Sequence, residues 1–255
     1  MKNRVLCSFA FCFFFGFAWS SFSPAQEHGK VQLADDVFIE QIADNVWRHV
    51  SSKTLPNFGL VPSNGVIAQF GADILLVDSA WNDTQTKLIL DWIQQELHGK
   101  PSVAIITHAH DDRIGGIHEI HHRGIRTLSS GLTVELAKRQ KLEVPQETFA
   151  DRRTLSLGGR EVQVSYLGPG HTRDNIVVWL PDQQLLVGGC LIKDAQAKDL
   201  GNTKEADLAQ WPKTVEKVYW EFKQAKIVVP GHGDPSGIEA ITHTLELLRT
   251  GVRRK

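Results

Sequence analysis

Val103-Ala104-Ile105-Ile106-Thr107-His108-Ala109-His110-Asp111-Asp112-Arg113 changes character at Thr107, where an apolar run gives way to imidazoles and carboxylates. Val103–Ile106 reads as a short apolar strand. If the chain stays extended beyond it, side chains two apart share a face, so His108, His110 and Asp112 converge. Two imidazoles and a carboxylate suit a borderline-soft divalent ion such as zinc. A polar loop with solvent-facing histidines is the competing reading of this stretch alone.

Three further segments place a potential metal donor at or just beyond the end of a strand-like run. They are His171 in Gly168-Pro169-Gly170-His171, Cys190 in Leu186-Val187-Gly188-Gly189-Cys190, and His232 in Ile227-Val228-Val229-Pro230-Gly231-His232. Glycines beside each let the backbone turn sharply and approach a compact site. Strand ends in layered folds gather on one edge, so donors distant in sequence can meet there. Singly, a turn histidine faces solvent and a lone cysteine is a small core hydrophobe. Together the six supply two three-donor sites, with positions left for water or substrate.

Outward from these motifs the chain alternates strands and helices. Val37–Ile42 pairs with Val46–Ser51, and Val66–Phe70 with Ile74–Asp78 across a Gly71-Ala72-Asp73 turn. Residues 84–97 form an amphipathic helix, with Leu88, Ile89, Trp92, Ile93 and Leu97 on one face, and another helix follows Gly115-Gly116. The second half repeats the order. Strands fall around Arg160–Leu167, Asn175–Leu180 and Leu185–Gly189, then a helix over Trp211–Lys223, a strand at Ile227–Val229 and a last helix over Ile238–Leu248. Two similar halves, strands layered inside and helices outside, packed as one domain, follow from that pattern.

At 255 residues the chain can bury a substantial core without disulfides, and its net charge of -1 carries no basic cluster. A small-molecule enzyme is favoured over a nucleic-acid or membrane-surface binder. Lys2 and Arg4, the apolar run from Val5 to Trp19 and the small residues up to Ala25 read as a cleaved secretory signal over residues 1–25, too short to anchor in a membrane. Cleavage there discards Cys7 and Cys12 and leaves a domain over 26–255 with a charge of -3. Cys190 is then the single cysteine in an oxidising compartment, and must be an inert core residue, a reactive thiol or a metal ligand.

HAHDDR, GPGHTRDN, GGCLIK with LGN beyond it, and VVPGHG, in this order and spacing, resemble the motifs of class B metallo-beta-lactamases of the first subclass. The resemblance covers nearly all of the chain after the signal, including LLVDSAW. It implies an α/β fold, an αβ/βα four-layer sandwich of two central mixed sheets flanked by helices, with the site on one edge. It also implies two zinc ions, one held by His108, His110 and His171 and the other by Asp112, Cys190 and His232. Related thioesterases, nucleases and phosphodiesterases usually read H-x-H-x-D-H, with an aspartate where Cys190 stands. Arg113 and Cys190 both depart from that pattern toward the beta-lactamase subclass.

A zinc-bound water ionises near a pKa of about 7, so attack by zinc-bound hydroxide needs no serine nucleophile. Neither S-x-x-K nor G-x-S-x-G occurs in the chain. The resemblance implies an enzyme that opens penicillins, cephalosporins and carbapenems and confers antibiotic resistance; the N-terminal signal places it in the periplasm, and a monomer is expected. Asp112 would orient the nucleophile and Asn202 would donate to the developing oxyanion. Lys193 would pair with the substrate carboxylate, while Phe58, on a flap spanning Ser52–Gly59, and Trp81 would line the site. Asp78 and Arg113 would act from behind the metal ligands, Arg113 by neutralising Cys190 and Asp112, against the readings of a turn cap and a surface salt bridge. A thioester or lactone hydrolase and a non-catalytic zinc-binding protein are the rival functions. His118, His121 and His122 are rival ligands whose ordinary reading is a solvated helix face.

Overall fold

The computed structural model describes residues 29–252. The expected signal over 1–25, with Cys7 and Cys12, lies outside the described residues. Strands β1 (Lys30–Ala34), β2 (Val37–Ala43), β3 (Val46–Leu55), β4 (Gly59–Phe70) and β5 (Asp73–Val77) form an antiparallel meander. Helix α1 (Asp83–Glu96) then crosses to β6 (Val103–Ile105), which adds parallel to β5. Asn82 caps α1 by accepting the Gln85 amide at 2.9 Å, and the helix buries Ile89, Leu90, Trp92 and Ile93.

Short helices α2 (Asp111–Ile114) and α3 (Ile117–His122) precede β7 (Thr127–Ser130); α4 (Gly131–Arg139) leads to β8 (Glu147–Phe149), completing an eight-stranded mixed sheet. The second sheet contains β9 (Arg152–Leu157), β10 (Arg160–Ser165), β11 (Val177–Leu180), β12 (Leu185–Gly189) and β13 (Ile227–Pro230), with α5 (Trp211–Glu221) joining the parallel pair β12 and β13 and α6 (Glu239–Val252) last.

Three apolar layers hold the sandwich. Val66, Leu75, Val77 and Ile105 of the first sheet meet Val162, Val164, Val178 and Val187 of the second, because alternate strand residues point to the same face. On the outer faces, Ile89 and Ile93 of α1 cover Ile67, Leu76 and Ala104, while Trp211, Val215, Ile241 and Leu248 of α5 and α6 cover Val177, Leu186 and Val228. Helix, sheet, sheet, helix is the four-layer order expected. The two halves are unequal, with eight strands against five. Strands β7 and β9 escape a search for apolar periodicity for a physical reason. In β7, Thr127, Ser129 and Ser130 are buried hydroxyls, and β9 is a sheet edge rich in exposed arginine.

Candidate metal centre

All six expected donors lie along one edge of the two sheets. His108 and His110 follow β6, but the chain does not stay extended to Asp112. It turns at His110 into α2, so Asp112 reaches the cluster from a helical turn. His171 comes from the loop between β10 and β11, Cys190 from the end of β12 and His232 from the end of β13. Gly189 adopts φ +53 before Cys190, and a Cβ at Gly231 would lie 2.6 Å from Cys190 Sγ and 2.8 Å from an Arg113 nitrogen, so both turns require glycine.

His110 Nδ1 lies 3.2 Å from His108 Nε2 and 3.3 Å from His171 Nε2. His232 Nε2 lies 3.3 Å from both Cys190 Sγ and Asp112 Oδ2. Donor atoms of Asp112, Cys190 and His232 fall within 4.8 Å of one another, as do those of His108, His110 and Asp112 and those of His108, His171 and Cys190. The three histidines and the Asp112, Cys190 and His232 set are thus two trios that adjoin across Asp112 and Cys190. Burial, aided by mutual repulsion with His110, holds His108 and His171 neutral, their pKa values pushed well down. Neutral imidazole is the form that binds metal.

Beneath the second trio lies Arg113, fully buried rather than in a surface salt bridge. One terminal nitrogen reaches Asp112 Oδ2 at 2.9 Å, Cys190 Sγ at 3.2 Å and the Gly231 carbonyl at 2.7 Å. The other donates to the Asn64 carbonyl and lies 3.4 Å from Asp78 Oδ2. Burial disfavours the Asp112 carboxylate, but Arg113 and His232 outweigh it and hold its pKa well below the usual range. Asp78, in a left-handed conformation at φ 63, accepts the Thr107 amide at 2.7 Å and the Thr107 hydroxyl at 2.9 Å. It thereby grips the chain one residue before His108. Burial raises its pKa to about 6 against Arg113 and Thr107.

Above the donors opens a cleft of about 550 Å³. Its walls include Leu55, Phe58, Val61 and Trp81, its floor His110, Asp112, His171 and His232, and its far side Lys193 and Asn202. The flap is more ordered than a long loop, since β3 and β4 pair as far as Leu55 and Gly59 and leave a turn of three residues. Phe58 is exposed at its tip, whereas Trp81 is largely buried and its indole N–H donates to the Ser51 carbonyl at 3.1 Å. Asn202, which lines the cleft, accepts the Lys204 amide on Oδ1 at 3.1 Å in a local turn, so its oxygen is occupied and its NH₂ is the remaining donor.

The family description "Metallo-beta-lactamase superfamily" matches residues 58–232, from the flap tip to the last histidine of the cluster. The chain belongs to this family. It is 43% identical over 219 residues to the metallo-beta-lactamase type 2 of Bacteroides fragilis, covering 86% of this chain and 88% of that one. The metallo-beta-lactamase IND-1 of Chryseobacterium indologenes is 39% identical over 222 residues, 86% and 91% of the two chains. A solved metallo-beta-lactamase from Pontibacter korlensis superposes with a TM-score of 0.81 at 39% identity, covering 84% and 99%. The αβ/βα sandwich, the family resemblance and the assignment as a hydrolase are thereby borne out, and membership implies a metal, typically zinc.

The donor set fits such an ion. The Nε2 atoms of His108 and His171 converge on His110 Nδ1, and Glu205 Oε2 engages His110 Nε2 at 3.1 Å, which leaves Nδ1 of His110 facing the other two rings. His232 Nδ1 is likewise engaged, by the Pro62 carbonyl at 2.7 Å, which turns Nε2 toward Asp112 and Cys190. Burial lowers the pKa of His232, yet Cys190 and Asp112 raise it to about 10, the mark of a site that attracts positive charge.

Glu205, Pro62 and Asn64 are contributions the sequence reading missed. Asn64 ties the sheets together at this edge, donating to the Pro230 and Gly233 carbonyls at 3.0 and 2.7 Å. Their signal is only tertiary. His121, a rival ligand by sequence, spends its nitrogens on Glu143 and Thr127, while His118 and His122 are exposed. None of the three joins a donor cluster among the described residues.

Proposed function

We propose that this chain is a periplasmic di-zinc hydrolase that opens the amide of penicillins, cephalosporins and carbapenems and so confers resistance to them. The observation that carries this reading is the cluster of His108, His110 and His171 adjoining Asp112, Cys190 and His232, beside a cleft that Lys193 and Asn202 also line. Its relatives, named metallo-beta-lactamases, support the substrate class. Lys2, Arg4 and the apolar run after them support export.

His108, His110 and His171 would hold one zinc and Asp112, Cys190 and His232 the other; bound there, zinc supplies Lewis acidity and ionised water at neutral pH. Asp112, kept ionised by Arg113, is the acceptor that orients the attacking water through a hydrogen bond. The Asn202 NH₂ donates to the lactam carbonyl oxygen as it gains negative charge. The Lys193 ammonium pairs with the carboxylate that beta-lactams carry and holds the scissile amide over the floor. Trp81, Leu55 and Phe58 form an apolar wall that excludes water from the reacting face. Asp78 and Arg113 fix the approach of the ligand-bearing turns.

Parallel assays with a carbapenem, a chromogenic cephalosporin and a glutathione thioester test the reading. Turnover of the first two is expected, and hydrolysis of the thioester alone would overturn it. Lys193→Glu is expected to lower kcat/KM for carboxylate-bearing beta-lactams by roughly ten- to a hundredfold, since a charge-assisted pair is worth about 1.5–3 kcal/mol. Lys193→Ala should cost less, because it removes attraction without adding repulsion. Parental kcat/KM in both variants, with metal content unchanged, would rule out the carboxylate anchor.

A further inference from the structure

Asp174 lies three residues beyond His171, in the loop between β10 and β11, and is completely buried. Its Oδ2 accepts the backbone N–H of Ala109 at 2.9 Å, the residue between His108 and His110. Burial raises its pKa, opposed by the nearby Thr172 and Thr133 hydroxyls and by the Ala109 amide, and among the described residues no cation pairs with the carboxylate. Its Oδ1 has no aligned donor. The Asp174 carbonyl accepts the Ser130 hydroxyl at 3.3 Å, fastening the loop to the end of β7. The neighbouring Asn175 closes the same loop, accepting the Thr172 amide and donating to the Gly168 carbonyl, each at 3.0 Å.

A buried carboxylate without a counter-ion is costly, and the proposed reaction does not use this one. What it does is join two loops that arrive from different sheets, each carrying donors of the histidine trio. Asp112, Cys190 and His232 are braced from elsewhere, by Arg113, by Asn64 and by the Pro62 carbonyl. We propose that Asp174 is a positioning residue that locks the His108-Ala109-His110 turn to the His171 loop. In that role it sets the metal affinity of the histidine trio separately from that of the cysteine-bearing trio. The proposal rests on the reading that both trios bind metal.

Cobalt(II) is a probe that separates them. Bound near Cys190 it gives a thiolate-to-cobalt charge-transfer band, whereas the histidine trio contributes ligand-field bands only. Titration of the full chain against a competing chelator should show the parent binding at both trios. Asp174→Ala should weaken the histidine trio at least tenfold while the charge-transfer midpoint stays within twofold. Asp174→Asn, which keeps an acceptor for the Ala109 amide, should stay within threefold of the parent. Where Asp174→Ala does not fold, Asp174→Ser leaves the space polar but is too short to reach that amide, and should match the loss expected of Ala. Equal weakening of both trios, the signature of a merely structural role, or unchanged affinity at the histidine trio, overturns the proposal. Absence of cobalt binding in the parent would instead overturn the metal-site reading beneath it.

Discussion

Dialysis of the purified protein against a strong chelator is expected to abolish hydrolysis of a chromogenic cephalosporin, and zinc is expected to restore it. A metal ion contributes several kcal/mol of charge stabilisation, so at about 1.4 kcal/mol per tenfold the loss should exceed roughly a thousandfold. The fold should survive the treatment. Arg113 remains against Asp112 and Cys190, and these two neighbours raise the pKa of His232 to about 10 despite burial. A proton at His232 thus offsets part of the negative charge that the metal would otherwise balance. Retained circular dichroism with lost activity and a lower Tm is the expected combination, because metal binds the folded state alone. Metal analysis of the untreated protein should give two zinc ions per chain. Full turnover in chelated, metal-free protein would refute the metal mechanism.

Arg113→Ala should produce the largest loss of stability of any single substitution at the site. The guanidinium is wholly buried, and its removal leaves Asp78 without its cation and takes from Asp112 and Cys190 the charge that faces them from beneath. It also strips donors from the Gly231 and Asn64 carbonyls, which come from opposite sheets. Breaking a buried ion pair by removing one partner costs about 3–5 kcal/mol. In a domain of this size each kcal/mol lowers Tm by roughly 2–4 °C. Arg113→Lys should fall between parent and Ala, since an ammonium keeps the charge but cannot span both sheets with a planar fork. A Tm for Arg113→Ala within the error of the parent would contradict the account of Arg113 as the buried counter-charge.

Strands β2 to β5 of the meander, the helix after Asn82 and the apolar strand before His108 are legible because one-dimensional periodicity reports which face is buried, whereas the mostly exposed β1 has no such signal. The donors are legible too, since their residue types and adjoining glycines stand out wherever they fall. The extended reading of His108, His110 and Asp112 reached the right neighbours by the wrong local geometry, since Asp112 projects from α2. The Ser52–Gly59 flap shows no apolar alternation of its own, and pairing across β3 and β4 nevertheless continues to Leu55 and Gly59.

A layered α/β chain with six candidate metal donors near strand ends is readable in one dimension, since hydrophobic period and ligand chemistry are properties of single residues and short runs. Only the tertiary structure decided that Arg113 is buried between two carboxylates and a thiol, that Glu205 and the Pro62 carbonyl orient His110 and His232, and that Asp174 joins two histidine loops. Apart from the neighbouring Arg113 and Asp112, each of these contacts spans 35 or more residues of chain, and an ionised or polar side chain looks the same in a sequence whether it faces water or a buried partner. Burial and the neighbour across the gap settle which it is, and both arise only when the two sheets close on each other.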